Sequence, residues 1–312
     1  MRKTLPVYLT AMLLSFALDA ADSEKNTSDK IIALSFDDSP RAANGYFSGS
    51  ERADKLLKAF KQADVPQVAF FSVSGHLNEE GIARLSRYND AGHIIANHSH
   101  SHPDINSLTL AEYKADVKKA DTLLRQFSMF KPWYRFPYLR EGDTLQKRDG
   151  MRQFLTSENY FNAYITINNY DWYIENLFQE AIKSKPNLNF DALKSFYIDT
   201  LMEGINYYHQ LALEQLGRAP KHVLLLHEMD ITAMFIDDLV TELKTQGWNV
   251  IPISDAYSDP IAQYETTRIM KYNPGRIGEI AKDNNYSGSL WHHTLNETHL
   301  KTEFEKRVLS VQ

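Results

Sequence analysis

From residue 30 onward, short apolar runs alternate with longer segments whose apolar residues return at helical spacing. The runs are KIIALSFDD (30–38), QVAFFSVS (67–74), HIIANHS (93–99), WYRFPY (133–138), NAYITI (162–167), HVLLLHE (222–228) and WNVIPISDA (248–256). They read as buried strands, because a strand covered on both faces is apolar throughout instead of alternating. Residues 51–63, 78–90, 109–127, 145–157 and 233–246 mix charged and apolar positions and read as amphipathic helices. A strand followed by a helix, repeated along the chain, predicts an α/β domain built on a parallel sheet or barrel.

Two stretches depart from this rhythm. The interval 174–220 is longer than the others and contains a long amphipathic helix, NFDALKSFYIDTLMEGINYYHQLALEQLG. It reads as a helical insertion whose aromatic residues pack it onto the barrel. Residues 257–312 show no clear period until a helical end and read as a loop-rich C-terminal extension. At the other end, Arg2 and Lys3 precede an apolar run from Leu5 to Leu18, with Ala20 and Ala21 after it. That is the layout of a secretory signal peptide over residues 1–20, and the run is short for a membrane span. The expectation is an exported, periplasmic or extracellular protein with no stable membrane span after cleavage; a retained N-terminal anchor is the lesser reading.

Composition narrows the chemistry. Cleavage after residue 20 would remove two positive charges and one negative, taking the formal charge from −6 to −7. With no basic cluster either, nucleic acid is not expected as a partner. The chain has no cysteine, which excludes disulfides, thiolate metal sites and a cysteine nucleophile.

Polar residues stand at the ends of several predicted strands, where active sites of parallel α/β folds gather. The first strand ends in Asp37-Asp38, two adjacent carboxylates whose repulsion calls for a cation or a proton. One would bind metal and the other serve as a base. The third strand runs into HSHSH, with His98, His100 and His102 at every second position. On a strand all three imidazoles would share a face; on a helical turn His98 and His102 pair and His100 points away. A strand ending near Asn97 followed by a helical turn gives a two-histidine, one-aspartate set with room for water, and Ser99 would hold an imidazole or the turn. The fourth strand ends at Arg135, whose permanent charge would hold a neighbouring base ionised and oriented, and Pro137 stiffens the turn that follows. Asp171 precedes Trp172, and a strand of leucines delivers His227; paired with Asp171, that histidine would be a proton donor.

In this order, Asp-Asp, His-x-x-x-His, Arg-x-Pro-Tyr, Asp-Trp and Leu-x-His resemble the motifs of polysaccharide deacetylases with the NodB homology domain, carbohydrate esterase family 4. The likeness runs over about residues 30–256 and extends to KLLKAFKQADVPQVAFFSVSGHL and AGHIIANHSHSHPDINSLT between the motifs. It implies a distorted (β/α)7-type barrel and a divalent metal, zinc by preference, with cobalt, nickel or manganese also suited to such ligands. It implies Asp37 as general base, Asp38, His98 and His102 as metal ligands, Arg135 as the residue positioning Asp37, and Asp171 as the residue tuning His227, the general acid. Trp172 and Leu225 would line the pocket for the acetyl methyl group, and the Tyr138 backbone N–H would help hold the oxyanion. Two positions differ from the family pattern: Ser39 stands where glycine is usual, and Asn168 replaces the first aspartate of Asp-x-x-Asp-Trp.

The activity so implied is hydrolysis of an N-acetyl group on a hexosamine-containing glycan, an acetylated glycan being the partner. Two other readings use the same residues: an O-acetyl esterase of the xylan type, and a glycan-binding protein that keeps the metal pocket without turnover.

Overall fold

The structure, a computed structural model, describes residues 29–184 and 187–310; the proposed signal peptide lies outside the described residues. Seven strands form one sheet: β1 (Ile31–Ser39), β2 (Ala69–Ser72), β3 (Ile94–Asn97), β4 (Phe130–Tyr134), β5 (Phe161–Asn162), β6 (His222–His227) and β7 (Asn249–Val250). Their order is β5-β4-β3-β2-β1-β6, with β7 also paired to β1, and every pairing is parallel. The chain leaving β5 beside β4 crosses to the opposite edge, where Ile167 bridges Leu224 of β6. That bridge brings the two edges together, so the sheet is a distorted barrel, the α/β class expected.

Helices cover the outside. They are α1 (Gly49–Gln62), α2 (Glu79–Asp90), α3 (Leu110–Leu124), α4 (Leu145–Ser157) and α7 (Asp230–Thr245) in the strand–helix units, with the short α8 (Ile253–Ala256) after β7. Their starts follow from local chemistry: Ser48 with Glu51, and Thr109 with Glu112, form capping boxes at α1 and α3 that satisfy otherwise orphaned N–H groups. The central strand β1 faces two environments. Phe36 packs outward between Phe60 of α1 and Phe70 of β2, at ring distances of 5.4 and 5.3 Å. Its neighbour Asp37 therefore faces the barrel interior, as alternation along a strand requires.

Most predicted strands are shorter than expected, 133–138 keeping only Trp133–Tyr134, and two shrink furthest. Of 162–167, only Asn162 lies in a strand, because the rest of the run is spent crossing from one sheet edge to the other. Of 248–256, only Asn249–Val250 is strand; Pro252 then caps the helical turn of α8. The interval 174–220 holds two helices, α5 (Asp171–Ser184) and α6 (Phe190–Leu216), the latter ended by Gly217 in the left-handed conformation (φ 68°). The extension folds into α9 (Arg276–Asp283) and α10 (Glu297–Phe304) and packs on α5 and α6. Among the described residues no helix is long and apolar enough to cross a membrane.

Candidate active site

The C-terminal ends of β1, β3, β4 and β6 converge on one cavity of about 520 Å³, and Asp37, Asp38, His98, His102 and His227 all line it. Adjacent residues of a regular strand point to opposite faces, yet Asp37 and Asp38 both reach this cavity. The reason is a break in β1: its pairing with β2 shifts register after Phe36, and Asp38 takes a φ of 65°.

His98 Nδ1 lies 2.8 Å from the Arg135 carbonyl oxygen, which can only accept, so Nδ1 carries the proton and Nε2 presents its lone pair. That Nε2 is 3.7 Å from Asp38 Oδ1, and His102 Nε2 is 3.3 Å from the same oxygen. Burial holds both imidazoles down at about 4, so both are neutral at pH 7. Asp38 Oδ1 is buried and accepts no hydrogen bond. Burial raises the Asp38 carboxyl, but His227, His102, His98 and Arg41 together outweigh it and bring the group down to about 2. Ionised oxygen and imidazole nitrogens thus face one another with no hydrogen bond closing the gap, an arrangement that a cation, not a proton, would complete.

The histidine pair does not sit on a helical turn. Ser99 and His102 have φ of 74° and 53°, which no right-handed helix allows. A loop takes its place: Asn97 Oδ1 accepts the Ser99 N–H at 2.8 Å, and Ser99 Oγ accepts the His102 N–H at 2.9 Å. These local bonds replace the helical ladder and still bring His98 and His102 to one side, with ring centroids 4.9 Å apart. His100 faces away, its Nδ1 2.8 Å from Ser74 Oγ. Gly75 accepts no substitute here, since a Cβ would stand 2.5 Å from the His100 carbonyl oxygen.

Asp37 is buried beside Arg135, whose Nη1 donates to Asp37 Oδ1 at 2.8 Å and to Ser35 Oγ at 2.8 Å. The guanidinium is itself held, with Nε donating to the Ala163 carbonyl at 2.9 Å and Nη2 to Tyr257 Oη at 2.8 Å, over the Phe71 ring. Burial raises the Asp37 carboxyl, and Asp38 adds to the rise; Arg135 and His227 offset it only in part.

His227 pairs with Asp37 across the β1–β6 register. Its Nδ1 is 2.7 Å from Asp171 Oδ1, and its backbone N–H donates to Asp171 Oδ2 at 2.8 Å. Asp171 is fully buried at the first position of α5, so the insertion and this carboxylate belong to one helix. Burial works against a charged His227, but the charge and hydrogen bond of Asp171, aided by Asp38 and Asp37, prevail and raise it to about 9.

Trp172, Leu225 and Tyr138 line the same cavity. Tyr138 has a φ of 56°, and the bonds of its turn run from the Leu139 and Arg140 N–H groups, leaving the Tyr138 N–H out of them. Asn168 is a cavity residue, while the next one, Asn169, accepts the Asp171 N–H at 2.9 Å. Sequence reasoning missed several partners. Arg41 Nη1 donates to Asp38 Oδ2 at 2.9 Å, and Glu228 holds the loop behind it by accepting the Arg41 N–H at 2.9 Å. Tyr257, Tyr272 and Trp291 come from the extension, and nothing in their local sequence points to the cavity.

Comparison with known proteins finds similarity to polysaccharide deacetylases. Residues 24–154 match the family model described as polysaccharide deacetylase. A peptidoglycan-N-acetylglucosamine deacetylase of Bacillus cereus is 28% identical over 142 residues, 45% of this chain and 46% of the relative, so the chain spans about half of that relative's length. A peptidoglycan-N-acetylmuramic acid deacetylase of Bacillus subtilis is 25% identical over 236 residues, 74% of this chain and 72% of the relative. Among solved structures, a carbohydrate esterase family 4 pseudoenzyme from Bacillus anthracis superposes with a TM-score of 0.51 at 18% identity, covering 74% of this chain and 66% of that one. At that identity the likeness speaks for the fold.

Proposed function

Starting from the match of residues 24–154 to the polysaccharide deacetylase family, we propose that the chain is a metal-dependent hydrolase that removes N-acetyl groups from a hexosamine-containing glycan, with peptidoglycan the leading substrate class. The observation that carries the reading is the meeting of three units in one cavity: a buried carboxylate clamped by Arg135, an imidazole raised by Asp171, and the facing acceptors of Asp38, His98 and His102.

Asp38, His98 and His102 would hold the metal, and two imidazoles with one carboxylate suit zinc first, with cobalt, nickel or manganese acceptable. Bound there, the ion supplies Lewis acidity, polarising the amide carbonyl and acidifying the attacking water. Asp37 takes the proton from that water as the oxygen adds to the acetyl carbon. Arg135 keeps Asp37 Oδ1 engaged, so the second oxygen is the one that receives the proton. The Tyr138 N–H donates to the oxyanion that forms, and Trp172 and Leu225 flank the methyl group. His227 then gives its Nε2 proton to the sugar nitrogen as the carbon–nitrogen bond breaks, because an amide nitrogen leaves readily only when protonated. Acetate and a free amine result. Asp171 retains the Nδ1 proton and holds the ring throughout.

The catalytic unit in this reading is residues 30–256 with the insertion at 174–220, followed by the extension at 257–312. Residues 1–20 act as an export signal, which agrees with a cell-wall substrate lying outside the cytoplasm. The test is acetate release by the metal-reconstituted protein from peptidoglycan fragments, chitooligosaccharides and acetylated xylan. Release from the N-acetyl substrates, abolished by Asp37→Asn with metal still bound, is the expected outcome. Release from xylan alone would make the protein an O-acetyl esterase. No release with metal and glycan both bound would make it a binding protein.

A further inference from the structure

A second set of metal-type donors lies outside the catalytic constellation, where the extension crosses α6. Glu203 of α6 and His292 and His293 of the extension each bring one donor atom within 4.8 Å of the others. Glu203 Oε2 is 3.1 Å from His293 Nε2, and the two imidazole rings lie 3.8 Å apart. His299, in the first turn of α10, brings a third imidazole with its ring centre 4.7 Å from that of His293. Among the described residues the ion-pair partner of Glu203 is His293; neither lysine nor arginine neutralises it.

The backbone carrying these ligands is fastened in place. Tyr207 of α6 donates to the Ser289 carbonyl, Tyr208 donates to the Leu290 carbonyl at 3.1 Å, and the Tyr207 ring lies 4.8 Å from that of His292. Thr294 is buried with Oγ1 3.0 Å from His292 Nδ1, which orients that ring as outer partners orient metal-binding histidines. None of these groups has a part in the proposed hydrolysis.

We infer that Glu203, His292 and His293 form a second divalent transition-metal site. Imidazole nitrogen with one carboxylate suits zinc, nickel or copper and not magnesium or calcium, which prefer all-oxygen shells. Its consequence is mechanical. The residue before His292 is Trp291, which lines the catalytic cavity, so an ion here ties the cavity rim to the inserted helix.

Zinc titration of the full chain, produced without a histidine tag, tests this by calorimetry and elemental analysis, with thermal melting as a second readout. The expected result is two equivalents for the wild type. The His292→Ala/His293→Ala variant should keep the one that Asp38→Asn/His102→Ala loses, and the reverse. Glu203→Gln should weaken the second equivalent at least about tenfold, and zinc should raise the melting temperature of the wild type more than that of the His292→Ala/His293→Ala variant. A wild type that binds a single equivalent and a His292→Ala/His293→Ala variant that retains it, or a wild type whose two equivalents both survive in that variant, overturns the inference. A wild type that binds a single equivalent, lost in the His292→Ala/His293→Ala variant, supports it and counts instead against the metal at Asp38, so the two assignments fail separately.

Discussion

Asp37 and Asp38 are adjacent in sequence and shifted in opposite directions: burial raises the first, while burial of the second is outweighed by His227, His102, His98 and Arg41, which draw it down to about 2. A group whose carboxyl is raised is a better proton acceptor, and one held low stays an ionised ligand. Asp38→Asn should therefore weaken metal binding by more than the about 10–100-fold that losing an outer partner costs, measured by competition with a chelator. The partner histidine carries a pH signature. His227 is raised to about 9, so it is protonated at pH 7 and loses its proton as pH rises through that value. Activity should fall along that alkaline limb. Asp171→Asn removes the charge that holds the proton, and should move the limb to lower pH and cut kcat by about 10²–10⁴-fold, read from a pH–rate profile. The same sign governs stability: the Asp171–His227 contribution is complete below the ordinary histidine value of 6.5 and is lost as pH passes about 9.

At the scale of elements, the site depends on strand ends held by ion pairs that carry no functional label. Arg52 of α1 and Asp230 at the start of α7 meet at 2.7 Å with neither side chain exposed, and Arg84 of α2 meets Glu228, the residue after His227, at 3.0 Å. Leaving one partner of such a pair buried and alone is costly. Arg52→Ala should lower stability by about 3–5 kcal/mol, measured by denaturant unfolding. The strand–helix alternation was legible because β1, β2, β3 and β6 are apolar on both faces and bounded by polar turns. The run at 162–167 was equally apolar yet is mostly not strand, since its composition reports burial, and crossing between the sheet edges buries a chain as well as pairing does. The histidine loop shows the same limit at finer grain: spacing predicted that His98 and His102 share a side, and bonds from Asn97 and Ser99, not helix geometry, achieve it.

For the whole molecule, the extension is part of the site's support. Tyr257, the first residue of the stretch read as an extension, accepts from Arg135 at 2.8 Å and donates to the Tyr164 carbonyl at 3.1 Å. Tyr257→Phe should leave Arg135 with a buried donor unmet, costing about 1–3 kcal/mol in an unfolding measurement and lowering kcat, while metal affinity stays unchanged. The order of residues along the chain determined the fold class and drew attention to the groups gathered around the cavity, because strand ends deliver polar side chains to one rim whatever the loops do. Tertiary structure alone decided the rest: that β1 breaks so two adjacent aspartates face inward, that Arg41 and Tyr257 complete the charge pattern, and that Glu203 meets His292 and His293 across some ninety positions. Those contacts join segments far apart in the chain, and local periodicity carries no information about which distant residue will arrive.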